Sequence, residues 1–276
     1  MRLILHLSDT HFGTERPAVA AALTRLVHRE QPDIAVLSGD VTQRARRAQF
    51  AAARRFLDAL AVPVTLTLPG NHDIPLDNVG ARLLHPYRRY EEVFPGPLSR
   101  AHHGPGELIL MLNSTRWYRH VHGTLAREQI DWSCQQLRSV PAGHLKLVVT
   151  HHPVFVPRAS EEHNLLRGYR DAVTAWADAG ADLILGGHIH LPSIVPLALP
   201  LALTRSVWSV QAGTAVSSRV RWDAPNSVNL LRYDPATTPG ECRAEMWNFS
   251  VTGDEFVLAE KVDMLLAPQA GARPVH

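Results

Sequence analysis

Five short polar clusters punctuate this sequence, and each follows directly on an apolar run of strand length. Ser8-Asp9-Thr10-His11 follows Leu3–Leu7, Ser38-Gly39-Asp40 follows Ile34–Leu37, and Pro69-Gly70-Asn71-His72-Asp73 follows Val64–Leu68. Thr150-His151-His152-Pro153 follows Leu145–Val149, and Gly186-Gly187-His188-Ile189-His190 follows Leu183–Leu185. In open α/β sheets functional groups gather at the carboxyl ends of strands, so these strand ends predict one shared rim.

The segments between them support that reading. Val19, Ala22, Leu23, Leu26 and Val27 recur at helical spacing and stop near Pro32; Phe50, Ala53, Leu57 and Leu60 do the same. The first half therefore reads β-α-β-α-β. Residues 74–106 are irregular, with a helix around Tyr87–Val93 and then a loop through Gly106. Leu108–Leu112 reads as a strand, Ile130, Cys134 and Leu137 as a helix face, and Val173–Ala179 as a helix ending at Gly180. After Ser206 the pattern turns to strands: Val207–Gln211, Ser227–Tyr233, Ala244–Phe249 and Phe256–Lys261. They form either a second sheet packed on the first or a small appendage. Residues 1–266 read as one domain, and Ala267–His276 as a frayed tail.

The clusters hold metal-ligand residue types. Asp9 and His11 are two apart, as are His188 and His190, so on an extended backbone each pair points to one side. Asp40 has two carboxylate oxygens with which to bridge two cations, Asn71 offers an amide oxygen and His151 another imidazole. An Asp/His/Asn set without cysteine suits divalent Mn, Fe or Zn and disfavours a thiolate zinc site. Taken singly, Asp-Xaa-His and Gly-Asp read as loop or turn chemistry, Gly-Asn-His-Asp is balanced between turn and ligand, and Gly-His-Xaa-His is moderately specific for metal; five in succession, each after a strand, are not explained as turns. The other histidines default to structural or solvated roles. His122 and His163 are exceptions worth following because their loops can approach the rim, and Arg219 and Arg221 read as a solvated strand face able to meet a phosphate.

Composition excludes little but points one way. Hydrophobic residues are 45% and charged residues 20%, a globular balance. With 28 basic and 26 acidic side chains, the net charge of +2 lacks the basic excess of a nucleic-acid binder, and no such partner is expected. No stretch is apolar for long enough to span a membrane, and MRLILHLSDTHFG reads as a first strand rather than a signal peptide. Cys134 and Cys242, far apart in the chain, read as free thiols of a reducing, cytoplasmic compartment.

The ordered set Asp-Xaa-His, Gly-Asp, Gly-Asn-His-Asp, His-His-Pro and Gly-His-Xaa-His resembles the calcineurin-like metallophosphoesterases from about Leu3 to Arg221. Gln211-Ala212-Gly213-Thr214-Ala215, followed by Ser217-Ser218-Arg219, resembles their bacterial cyclic-nucleotide phosphodiesterase and glycerophosphodiesterase branch. The resemblance implies an α/β fold, a four-layer αββα sandwich of two mixed sheets flanked by helices. It implies two divalent ions per chain: one held by Asp9, His11 and His190, the other by Asn71, His151 and His188, with Asp40 between them. It also implies that His72 faces the substrate instead of a metal.

The expected reaction is hydrolysis of a small phosphodiester by a water activated between the ions. His72 protonates the leaving oxygen, and Asp73 orients the His72 ring. A phosphomonoesterase or nucleotide-lipid pyrophosphatase is the alternative, with a nuclease or a non-catalytic scaffold further off. The branch also admits a homodimer.

Overall fold

The computed structural model describes residues 1–276 apart from 77–78, 120, 222–223, 239 and 267–276. The expected tail therefore lies outside the described residues.

The chain opens with β1 (Arg2–Leu7), α1 (Pro17–Glu30), β2 (Ile34–Leu37), α2 (Arg47–Leu60) and β3 (Val64–Thr67). The three strands pair in parallel, as the β-α-β-α-β reading requires. Pro17 stands at the start of α1, where its missing N–H costs nothing, and Gln31 closes the helix in the left-handed region just before Pro32. The expected residues form its buried face, each worth about 1.5–3 kcal/mol for a fully buried Val or Leu.

Next come α3 (Val79–Leu84), α4 (Arg88–Glu91), β4 (Arg100–His103), β5 (Glu107–Met111), α5 (Arg127–Ser139), β6 (Leu145–Val149), α6 (Tyr169–Ala179) and β7 (Leu183–Gly186). The chain continues through β8 (Ser193–Pro196), α7 (Ala198–Leu201), β9 (Trp208–Gln211), β10 (Ser227–Tyr233), β11 (Glu241–Ser250) and β12 (Glu255–Leu265). Two six-stranded sheets result, in the orders β12-β11-β10-β1-β2-β3 and β4-β5-β6-β7-β9-β8.

Strand alternation sorts the side chains into three cores. Leu3, Leu5 and Leu7 of β1 pack under α1 and α2, while Ile4 points between the sheets. Ile109 and Met111 of β5 meet it there, and Leu108, Leu110 and Leu112 face α5 and α6 on the far side. Three apolar interlayers between four layers make the αββα sandwich. Among the described residues, no helix is long and apolar enough to cross a membrane.

Two expectations need correction, and one strand has no counterpart among them. The C-terminal strands form neither a separate sheet nor an appendage. β9 joins the second sheet beside β7, and β10–β12 extend the first sheet through antiparallel pairing of β10 with β1. The stretch read as loop through Gly106 contains β4, an edge strand whose Arg-Ala-His-His carries no apolar alternation. β8 went unread because it is a four-residue edge strand ending in Pro196, a residue that strand edges tolerate.

Candidate metal centre

The carboxyl ends of β1, β2, β3, β6 and β7 converge, and the turns beyond them are laced together. The Asp9 amide donates to the Gly39 carbonyl at 3.1 Å, the His11 amide to the Asp40 carbonyl at 2.9 Å, and the Gly187 amide to the His151 carbonyl at 2.9 Å. The His188 amide donates to Asp9 Oδ2 at 2.9 Å, tying one sheet to the other.

The backbone there is not extended, as the i, i+2 argument assumed. Asp9, His11, Asp40, His188 and His190 all take left-handed φ, at 52°, 42°, 47°, 75° and 58°. Each such angle costs a non-glycine residue roughly 1–3 kcal/mol and persists only where the surroundings hold it. Five of the seven expected ligands carry this strain. Gly39, at φ 113°, lies so close to His151 that a Cβ would collide with Nδ1, and a Cβ on Gly70 would collide with Asp40.

All seven expected ligands meet. Asp9 Oδ1 lies 3.1 Å from His190 Nε2 and 3.6 Å from His11 Nε2. The two imidazole Nε2 atoms stand 3.1 Å apart and can share at most one proton. His151 Nε2 lies 3.1 Å from Asn71 Oδ1 and 3.4 Å from Asp40 Oδ1. Asp40 Oδ2 turns the other way, 3.6 Å from His11 Nε2. Potential donors group as Asp9, His11 and His190; Asp40, His151 and His188; and His11, Asp40 and His72, within 4.8 Å in each group.

These contacts fit cations better than hydrogen bonds. Asp9 Oδ1 is buried without a hydrogen-bond partner although a ring nitrogen is 3.1 Å away. Ligand atoms about 2.0–2.2 Å from one ion stand roughly 3.0–3.5 Å from each other, the separations found here. Two of the outer ring nitrogens are held: His151 Nδ1 donates to the Ser38 carbonyl at 3.0 Å and His190 Nδ1 to the Arg219 carbonyl, which turns each Nε2 toward the donor cluster.

Electrostatics agree. Burial opposes ionisation of Asp9 and Asp40, yet neighbouring histidines hold both carboxyls well below the usual range. His190 and His11 act on Asp9, and His151, His72 and His11 on Asp40. Burial also opposes charge on His151, but Asp40 lifts it to about 9, so a cation taking its Nε2 must displace a proton there. Burial pushes His188 down to about 3, a neutral ring suited to ligation.

His72 lines the adjoining cleft of about 390 Å³ and holds its Nδ1 3.1 Å from the Gln43 carbonyl. Asp73 does not meet the expectation that it orients this ring. Its Oδ2 accepts the Val41 and Gly70 amides at 3.0 and 2.9 Å, and its Oδ1 accepts the Thr42 amide and hydroxyl, both at 2.8 Å. It braces the turn after Asp40 against the turn before Asn71. His163, Arg219 and Arg221 line the cleft; His122 is not among its lining residues, and its Nδ1 donates to the His163 carbonyl at 3.1 Å. Arg219 and Arg221 follow β9 in a loop, not on the solvated strand face expected of them.

Residues that sequence reasoning missed act at one remove. His6 Nε2 contacts Ser38 Oγ at 3.0 Å beneath the site, and the His152 ring lies 4.6 Å from that of His188. Glu161, almost fully buried, accepts Arg221 and Asn164 at 2.7 Å each and holds one cleft wall. The adjacent His-His pair offered a signal for His152; nothing local marked Glu161.

Known proteins bear on this geometry. A cAMP/cGMP dual specificity phosphodiesterase of Mycobacterium tuberculosis, MT0825, is 24% identical over 253 residues, covering 85% of this chain and 77% of the relative. The glycerophosphodiester phosphodiesterase GpdQ of Enterobacter lignolyticus is 37% identical over 84 residues, 26% of this chain and 29% of the relative. The purple acid phosphatase PPD1 of yellow lupin shares the fold at a TM-score of 0.71 and 12% identity, over 96% of this chain and 53% of that one. The calcineurin-like phosphoesterase family itself matches residues 2–192, so this chain belongs to that family and is a phosphoric ester hydrolase.

Proposed function

We propose that the protein is a dinuclear-metal phosphodiesterase acting on a small diester of the cyclic-nucleotide or glycerophosphodiester kind. The observation that carries this is the division of Asp40. One oxygen faces His11 of one donor group, and the other faces His151 of the second. Asp9, His11 and His190 would hold one ion, Asn71, His151 and His188 the other, and Asp40 both. Mn, Fe or Zn suits these donors. Two such ions supply Lewis acidity and offset the negative charge of the ester.

The chain's own groups do the rest. His72 Nδ1 donates to the Gln43 carbonyl, which leaves Nε2 to face the cleft, where it can serve the departing oxygen. Asp9, His11, Asp40, Asn71, His151 and His190 are buried, which strengthens electrostatic interactions at the centre. A cleft of about 390 Å³ is near the small end of ligand sites, roughly 300–1,000 Å³, which favours a compact substrate over a nucleic acid. The two phosphodiesterase relatives support a diester over a monoester. Unbridged, buried Cys134 and Cys242 support a cytoplasmic setting.

The test is a turnover panel with Mn, Fe, Zn and Mg against cyclic nucleotides, glycerophosphodiesters and phosphomonoesters, beside metal analysis of Asp40→Ala. Diester turnover with two metals per chain is expected, with metal lost in Asp40→Ala. A variant that keeps both metals would contradict the shared role of Asp40.

A further inference from the structure

Arg219 does two things at once. Its backbone carbonyl accepts His190 Nδ1 and, at 3.1 Å, the Thr214 hydroxyl, while its amide donates to Ser217 Oγ at 3.2 Å. The residue is thereby pinned to a proposed metal ligand. Its guanidinium reaches the other way, into the cleft, with Nη1 3.1 Å from Gln43 Oε1 and 3.1 Å from His72 Nε2.

Neither partner is a carboxylate: one is an amide oxygen and the other an imidazole ring. Arg221, two residues on, shows the contrast: its charge is met by the carboxylate of Glu161 at 2.7 Å. Arg219 has no such ion pair among the described residues. An arginine is always charged, and its planar fork matches phosphoryl oxygens better than any neutral acceptor.

We propose that Arg219 grips a non-bridging phosphoryl oxygen of the bound ester. Resting on the phosphodiesterase reading, this gives the cleft a specific anion-recognising residue outside the metal centre. The substrate it selects carries a phosphoryl charge beside the His72 side of the site.

Two measurements test it on the metal-loaded full chain. The first is calorimetric binding of inorganic phosphate to the wild type, Arg219→Met and Arg219→Lys. Arg219→Met should bind about 10- to 100-fold more weakly, the worth of one charge-assisted contact, and Arg219→Lys should recover part of the loss. Metal content should be unchanged in both, because the carbonyl that holds His190 remains. The second compares kcat/KM on aryl and alkyl diesters. Arg219→Met should lose a similar factor on both, and added guanidinium ion should restore part of it.

Unchanged phosphate affinity would overturn the proposal, as would metal loss in step with activity, which would leave the segment serving His190 alone. A loss confined to alkyl esters would also overturn it, by reducing Arg219 to an adjunct of the leaving-group step. Phosphate binding that depends on Arg219 in a chain turning over no diester would sink the parent reading and spare this one.

Discussion

Replacing Asp73 by alanine separates a brace from a catalytic partner. If Asp73 oriented the His72 ring, Asp73→Ala would resemble His72→Ala: a slower enzyme of ordinary stability. The structure gives a different expectation. The carboxylate is fully buried and accepts three backbone amides and one hydroxyl. The hydroxyl can turn to another acceptor; the amides of Val41, Thr42 and Gly70 cannot. With water entering the space left behind, each stranded amide costs about 1–1.5 kcal/mol, or roughly 3–5 kcal/mol in all.

A chain of 276 residues unfolds with an entropy near 0.6 kcal/mol/K, so the midpoint should fall by about 5–9 °C. The turns carrying Asp40 and Asn71 loosen together, so metal content should fall as well. Scanning calorimetry of the metal-loaded protein and elemental analysis read both quantities. A variant melting with the wild type, holding two metals and slowed only on poor leaving groups would refute the argument and return Asp73 to His72.

Other perturbations follow from the same geometry. His72→Ala should keep its metal and lose turnover most severely on alkyl diesters; equal losses on aryl and alkyl esters would count against service to the leaving oxygen. Gly39→Ala forces a side chain into φ 113° and onto His151, so it should lose several kcal/mol of stability and part of its metal, read by chemical denaturation and elemental analysis. Asp182, buried beside Arg205, has its carboxyl raised by burial to about 6. A carboxyl raised above its unfolded value stabilises most below pH ~4, and that contribution is lost as pH rises through ~6. The stability of the wild type relative to Asp182→Asn should therefore fall by about 1–1.5 kcal/mol between pH 5 and 8. Denaturation curves at both pH values that shift in parallel would contradict it.

Legibility in the sequence followed the range of the interactions. Strand and helix periodicity is local, so β1 to β3, α1 and α2 were readable from apolar spacing alone. β4 and β8 were not, because each is only four residues long, Arg-Ala-His-His offers no apolar alternation, and Ser193–Pro196 ends in a proline that sequence alone reads as a strand breaker. The ligand types were readable for a related reason. Coordination demands carboxylate, imidazole or amide oxygen whatever the fold, and the strand ends that carry them announce themselves.

The chain itself, then, determined which side chains are available for metal and where each leaves its strand. Tertiary structure decided how Asp40 divides its oxygens, why five of the expected ligands sit at left-handed φ, and that Asp73 holds turns rather than a ring. It also decided that Arg219 meets His72 across 147 residues of chain while Arg221 is neutralised by Glu161. The physical reason is that a hydrogen bond or ion pair is set by position and direction in space. Two arginines two residues apart differ in whether the fold brings a carboxylate within reach.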